Sequence, residues 1–179
     1  MNSITPDAFF NAPNAADIEV IKDYIAQDGD VSIQSDGGNN ILWHIACYPI
    51  SDENMRNQLI VMAQLCMAHN VNPVNKNKFG KTAAYEAVSG GFFELCQLFQ
   101  NHDIKLTNHI SLNEFLYYRW PRHPTRYQRS DYPKILTLLL SENPNLTDTF
   151  ADHKYLTPLQ IACKEGQTEA IKQLCAANV

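Results

Sequence analysis

The amino-acid sequence predicts an all-α fold made of repeated helix pairs. The first observation is the segment DHKYLTPLQIACKEGQTE at 152–169. In it, Thr157 and Pro158 favour the start of a helix, Ala162 allows close packing, and Gly166 favours a helix end. The second observation is a weaker copy, NKFGKTAAYEAVSGGFFEL at 77–95, with the same residue types in the same register. Two copies in register indicate an internal repeat.

The segment 152–169 resembles the ankyrin repeat pattern D-x-x-G-x-T-P-L-H-x-A-x-x-x-G-x-x-E. It matches that pattern at seven positions, in register and without a gap. The chain is therefore identified as similar to ankyrin-repeat proteins. This resemblance implies an ankyrin-repeat solenoid, in which each unit buries its apolar face only by stacking on its neighbours. It also implies a protein that binds other molecules, without indicating which.

The spacing of the copies predicts about five units, two of them lengthened, because the ankyrin period is about 33 residues. Aligning Ile41, Thr82 and Thr157 gives intervals longer than one period and longer than two periods. We therefore expect one ankyrin-repeat domain over residues 1–179. Its approximate units are 5–34, 35–75, 76–106, 107–150 and 151–179.

The elements follow this order along the chain. Residues 17–30 are predicted as the second helix of a first, incomplete unit, and 36–47 open the next unit. An insertion is predicted at 49–56, where Pro, Ser, Asp, Glu and Asn interrupt the apolar pattern. The fourth unit is predicted to have helices near 111–119 and 133–141, separated by an inserted loop.

Composition excludes several classes of protein. The 18% of charged residues and the net charge of −5 argue against a protein that coats nucleic acid with its whole surface. The five cysteines are odd in number and lack C-x-x-C spacing, which favours a reducing cytoplasm over a disulfide framework. No signal peptide or membrane-spanning segment is predicted. No metal, nucleotide or other cofactor is expected, because ligand spacings and a phosphate-binding loop are missing.

Three residues invite a catalytic interpretation. His44 is aligned with the motif histidine, and Cys47 and Cys163 are aligned with each other beside the packed alanine. The resemblance implies a hydrogen-bonding role for His44, and the recurring cysteines are predicted as buried core residues. We therefore expect no catalytic residues. An enzyme built on the Cys/His pairs, or a fragment of a larger enzyme, is the remote alternative.

The inserted segment 117–132 is the first candidate binding surface. It holds four of the five arginines, four of the eight tyrosines and one of the two tryptophans, and the scaffold requires none of them. Arginine and aromatic residues often supply the main contacts of protein interfaces, and they also bind phosphates or stacked bases. The alternative is that the aromatics cover a distorted repeat while the arginines stay solvated. The predicted contact residues are Arg119, Trp120, Arg122, Arg126, Tyr127, Arg129 and Tyr132.

The loop tips between units are the second candidate surface. The resemblance implies that partners bind at these tips, so Lys78, Phe79, Lys154 and Tyr155 are predicted contacts. Phe79 and Tyr155 are assigned to equivalent tip positions. The alternative is that these aromatics pack between units.

Together these features predict a non-enzymatic adaptor or scaffold whose partner is another protein with an acidic surface. The main alternative is binding of nucleic acid or anionic phosphate groups by 117–132. The divergent, Asn-rich and lengthened repeats resemble those of ankyrin effectors that intracellular bacteria secrete into host cells. That resemblance implies a cytoplasmic protein or one secreted into a host cell.

Overall fold

The computed structural model describes residues 3–48, 50, 52–119, 131–149, 151 and 155–177, with only the backbone for Tyr118 and Arg119. Within these ranges all regular secondary structure is helical, which confirms the all-α prediction. The chain divides into two compact units, 1–87 and 88–179. The division falls inside one helix, so each unit is described by itself below.

The first unit is a stack of two helix pairs followed by the start of a further helix. Helix α1 packs on α2 and on α3, while α2 and α3 both pack on α4. First helices therefore contact first helices, and second helices contact second helices. The bounds are α1 Pro6–Ala15, α2 Ile18–Ala26, α3 Ile41–Cys47, α4 Glu53–Ala68 and α5 Ala83–Gly90.

Side-chain caps define where the helices of this unit begin. The side chains of Thr5, Asp17, Asn40 and Asp52 each accept a hydrogen bond from a backbone N–H in the first turn of the helix that follows. Such caps satisfy donors that have no partner within the helix. The N-terminal pair is complete, because residues 6–15 form α1. The first repeat therefore has both of its helices, and the expectation of an incomplete first repeat is wrong.

Half of the predicted insertion at 49–56 is helical, because α4 begins at Glu53. Asp52 caps α4, its Oδ1 accepting from the N–H of Met55 at 2.8 Å, and the helix then runs for 16 residues. Glu53 to Arg56 form the first turn of this helix. The acidic side chain of Glu53 suits the positive end of the helix dipole, so polar composition here indicates a helix start.

The second unit begins at the end of α5. Its remaining elements are α6 Phe93–Asn101, a 3₁₀ turn at Leu106–Asn108, α7 Leu112–Glu114 with a π-helical continuation at Phe115–Arg119, α8 Tyr132–Ser141, α9 Pro158–Lys164 and α10 Thr168–Ala177. Helix α8 packs on α6 and α10, and α9 packs on α10, on α7 and on the π-helical turn. The two helices predicted for the fourth repeat, near 111–119 and 133–141, are confirmed.

Both units have aromatic and aliphatic cores. In the first unit, Phe9 is fully buried and stacks on Tyr24 with ring centroids 4.4 Å apart. In the second, Phe115 packs against Tyr132 at 5.7 Å, and the hydroxyl of Tyr132 lies 3.4 Å from the carbonyl oxygen of Ser89, to which it donates. These contacts bury the four aromatic rings in the cores of the two units.

Two polar contacts, one part-buried and one buried, hold the second unit together. The carboxylate of Glu142 accepts hydrogen bonds from the backbone N–H groups of Leu106 and Thr107 at 2.9 and 2.8 Å, and from Gln100 at 2.6 Å. The amide of Gln167 donates to the carbonyl oxygen of Leu116 at 2.7 Å. That carbonyl lies in the π-helical turn, where the wider hydrogen-bond step departs from the α-helical pattern.

Candidate functional site

The capped helix starts define the register of the loop tips. The side-chain oxygens of Asn40, Thr82, Ser111 and Thr157 each accept from the backbone N–H three residues later. Asn40 is therefore the counterpart of Thr82 and Thr157. The alignment on Ile41 is wrong by one residue, because a helix begins at the polar residue that caps it and isoleucine cannot do this.

This register changes two assignments. Trp43 occupies the position of the motif histidine. His44 lies one residue beyond it, with its ring tilted against that of Phe10 and the ring centroids 5.1 Å apart. Cys47 and Cys163 are not equivalent, because Cys163 aligns with Ala46. Cys163 is also exposed, so its prediction as a core residue is wrong, whereas Cys47 is half-buried.

The best-defined loop tip is the segment 75–81 of the first unit, here called the lysine finger. Asn77 organises it: its side-chain oxygen accepts from the N–H groups of Phe79 and Lys81, both at 2.9 Å. Its backbone N–H donates to the carbonyl of Lys81 at 2.8 Å, and its carbonyl accepts from Gly80 at 2.9 Å. Gly80 has φ of 73°, a left-handed conformation that favours glycine.

The lysine finger is tied to the neighbouring tip at 35–39. The side-chain nitrogen of Asn77 donates to the side-chain oxygen of Asn39 at 2.8 Å. The backbone N–H of Lys78 donates to the carbonyl of Gly37 at 3.0 Å. Asn77 is consequently only 8% exposed although it lies in a surface loop. Sequence reasoning missed Asn77 and Asn39, and the only local signal was the polar run around them.

The finger presents an apolar ring between cations. The side chain of Phe79 is 79% exposed, and Lys76 and Lys78 are exposed as well. Lys81 instead lies over the ring of the buried Tyr85, with its ammonium 3.6 Å from the ring centroid. Phe79 is therefore exposed rather than packed between repeats. The predicted contacts Lys78 and Phe79 lie together on one exposed tip.

Tyr155 is exposed at a second tip, in the other unit. Its side chain is 70% exposed and its φ is 58°. Because it lies two residues before the cap Thr157, it corresponds to Gly80, which lies two residues before Thr82. The predicted equivalence of Phe79 and Tyr155 is therefore wrong by one residue. Lys154 lies outside the described residues.

The inserted segment 117–132, called the arginine-rich segment below, is described only at its ends. Trp120, Arg122, Arg126, Tyr127 and Arg129 lie outside the described residues, as does the side chain of Arg119. At the C-terminal end of the segment, Tyr132 is 3% exposed and packs on Phe115. Tyr132 is thus a core residue, and its prediction as a surface contact is wrong. It is the first residue of α8, and its ring is buried in the core of the second unit.

Burial shifts the pKa of a histidine and of two cysteines within the described residues. Burial lowers the pKa of His44, and it raises the pKa of the Cys66 thiol to about 12. Burial also raises the pKa of Cys96 well above its ordinary value. A thiol that stays protonated is a poor nucleophile. Within the described ranges, no three His, Cys, Asp or Glu side chains are grouped to hold a metal ion, and no helix is long and apolar enough to cross a membrane.

Comparison with known proteins identifies the architecture. No protein-family model matches the chain, and no curated protein matches it. Among solved structures, an ankyrin repeat domain from Acinetobacter baumannii matches with a TM-score of 0.70 and 20% sequence identity, over 96% of this chain and 81% of that one. The stacked helix pairs, the capped helix starts and this structural match agree: the chain has the ankyrin-repeat fold.

Proposed function

We propose that this protein is a non-enzymatic module that binds another protein, as an adaptor or scaffold, through its loop tips. The observation that carries the proposal is the exposure of Phe79 at a tip whose backbone is held by Asn77. Binding residues lie disproportionately on loops that a rigid scaffold positions, and an exposed ring on such a loop has apolar surface left for a partner to bury. An ordered tip also loses little conformational entropy on binding.

Tyr155 supports the same proposal on independent grounds. A tyrosine at φ of 58° is held in a conformation that costs about 1–2 kcal/mol relative to the right-handed region. At 70% exposure the ring recovers little of that cost within the fold. Strained residues are often found where function requires them. Tyrosine is also among the residues that dominate protein interfaces.

The experiment is affinity capture from a cell lysate with the immobilised full chain. The test variant is Phe79→Ala with Tyr155→Ala, and the matched control is Val61→Ala. Val61 is a third exposed apolar side chain, at 47%, but it lies on helix α4 rather than on a tip. We expect the double variant to lose captured protein by about tenfold or more, as for interface hot spots, and the control to lose none.

Equal capture by the wild type and the double variant would overturn the proposal. Nuclease treatment of the lysate separates it from the alternative, binding of nucleic acid or phosphate groups by 117–132. Capture that disappears after nuclease treatment, and that falls steeply with added salt, would support the alternative. The arginine-rich segment is tested in the same assay by changing Arg122, Arg126 and Arg129 to alanine.

A further inference from the structure

We propose that the lysine finger binds a carboxylate-rich protein segment that also carries an apolar side chain to cover Phe79. This inference rests on the proposed function and names the chemistry of its partner. It depends on three properties of the finger: the uncompensated charge of Lys76 and Lys78, the order of the loop, and the single aromatic ring at its tip.

Two lysines of the finger have no acidic partner among the residues that the structure describes. Lys76 and Lys78 form no ion pair within the described part of the chain. Three other lysines behave differently, because each lies within 3.8 Å of an acidic side chain three residues earlier: Lys22, Lys134 and Lys172. No Asp or Glu occurs anywhere in residues 70–85, although the whole chain has a net charge of −5.

The neighbouring tip contributes one opposing charge. Asp36 is exposed and precedes Gly37, whose carbonyl accepts from the N–H of Lys78. The joined tips therefore present two exposed lysines, Lys76 and Lys78, and one exposed aspartate. Positive charge prevails, and carboxylates of a partner gain attraction without having to displace an existing ion pair. Such steering raises the association rate as well as the specificity.

The order of the finger favours a defined apolar contact. Asn77 holds the N–H groups of Phe79 and Lys81, and Asn39 holds Asn77, so the backbone on both sides of the ring is constrained. A partner that covers Phe79 does not have to order this loop first. Burying a phenylalanine side chain contributes about 1.5–3 kcal/mol, which is the scale of an interface hot spot.

The same features favour a peptide over a nucleic acid. Proteins that bind single strands combine a basic groove with several aromatic platforms, on which successive bases stack. The finger is an exposed tip with one ring, so it offers a single stacking platform. Carboxylates spaced around one apolar residue match two exposed ammonium groups around one ring.

The test is an NMR titration of the ¹⁵N-labelled full chain with three probes. These are the peptide acetyl-Glu-Glu-Leu-Glu-Glu-amide, its neutral twin with Gln in place of Glu, and a short oligothymidylate. We expect the acidic peptide to shift the amide signals of residues 76–81, and the neutral twin to bind at least about tenfold more weakly. The variant Lys76→Gln with Lys78→Gln should reduce the affinity for the acidic peptide to that for the neutral twin.

The matched control is Lys22→Gln with Lys172→Gln, which removes the same charge from two lysines that lie outside the finger segment and already have acidic partners. It should leave the affinity for the acidic peptide unchanged. Equal affinity for the two peptides, signal shifts outside the finger, no shifts at millimolar peptide, or tighter binding of the oligothymidylate would each overturn the inference. If lysate capture still depends on Phe79 and Tyr155 in that case, the interaction module stands and only the proposed partner chemistry fails.

Discussion

Replacing Asn77 with alanine tests whether one side chain orders the lysine finger. The change removes three side-chain hydrogen bonds, two from backbone N–H groups and one to Asn39. Each such bond contributes about 1 kcal/mol. The two N–H groups lie at an exposed tip and regain water after the change. We therefore expect the free energy of unfolding to fall by about 2 kcal/mol.

Urea unfolding followed by far-UV circular dichroism measures this loss, as a midpoint shift of about 1 M for a typical denaturant slope. Asn77→Asp is the matched control. Its carboxylate can accept both N–H groups, and the Asn39 amide can rotate to donate to it, so we expect a loss below about 1 kcal/mol. A loss below about 0.5 kcal/mol for alanine, or equal losses for both variants, would refute the reasoning.

Three further predictions concern strain, protonation and thiol access. Tyr155→Gly should unfold at higher urea than Tyr155→Ala, by about 0.5–1 kcal/mol, because alanine keeps the left-handed strain; equal midpoints would contradict this. Burial lowers the folded-state pKa of His44, so the folded chain binds fewer protons than the unfolded chain as pH falls below 6.5. Stability should therefore decline on acidification through this range, and less steeply in His44→Gln when urea midpoints are compared. A thiol reagent should label exposed Cys163 quickly and buried Cys66 only on unfolding, as mass spectrometry would show; rapid native labelling of Cys66 would count against its burial.

The repeat fold could be predicted because its signals are local. Thr157, Pro158 and Ala162 lie within six consecutive residues, and each residue type has its own mechanical reason to occur there. The helices of the fourth unit were found for the same reason. The first helix was missed because Pro13 and a run of small residues hide its pattern, yet Thr5 and Pro6 mark its start.

The candidate site could be predicted only in part, since its geometry depends on distant residues. Asn77 becomes an organising residue through Asn39, 38 positions earlier in the chain, and no local pattern indicates such a pairing. The one-residue error in aligning Ile41 with Thr82 and Thr157 had another cause. His44 resembles the motif histidine, and that likeness outweighed the capping ability of Asn40. Tyrosine is common in protein interfaces, but Tyr132 is the first residue of a helix and its side chain is buried.

The anchoring of both ends of the arginine-rich segment has a consequence for how this protein can change. On one side, Gln167 supports the carbonyl of Leu116 from 51 positions away. On the other, Tyr132 is buried and its hydroxyl donates to Ser89. Neither anchor uses a residue of 120–130. Substitutions at Gln167 or Tyr132 can therefore change how this segment is held at its ends without changing any of its arginines, so its binding can be altered from elsewhere in the second unit.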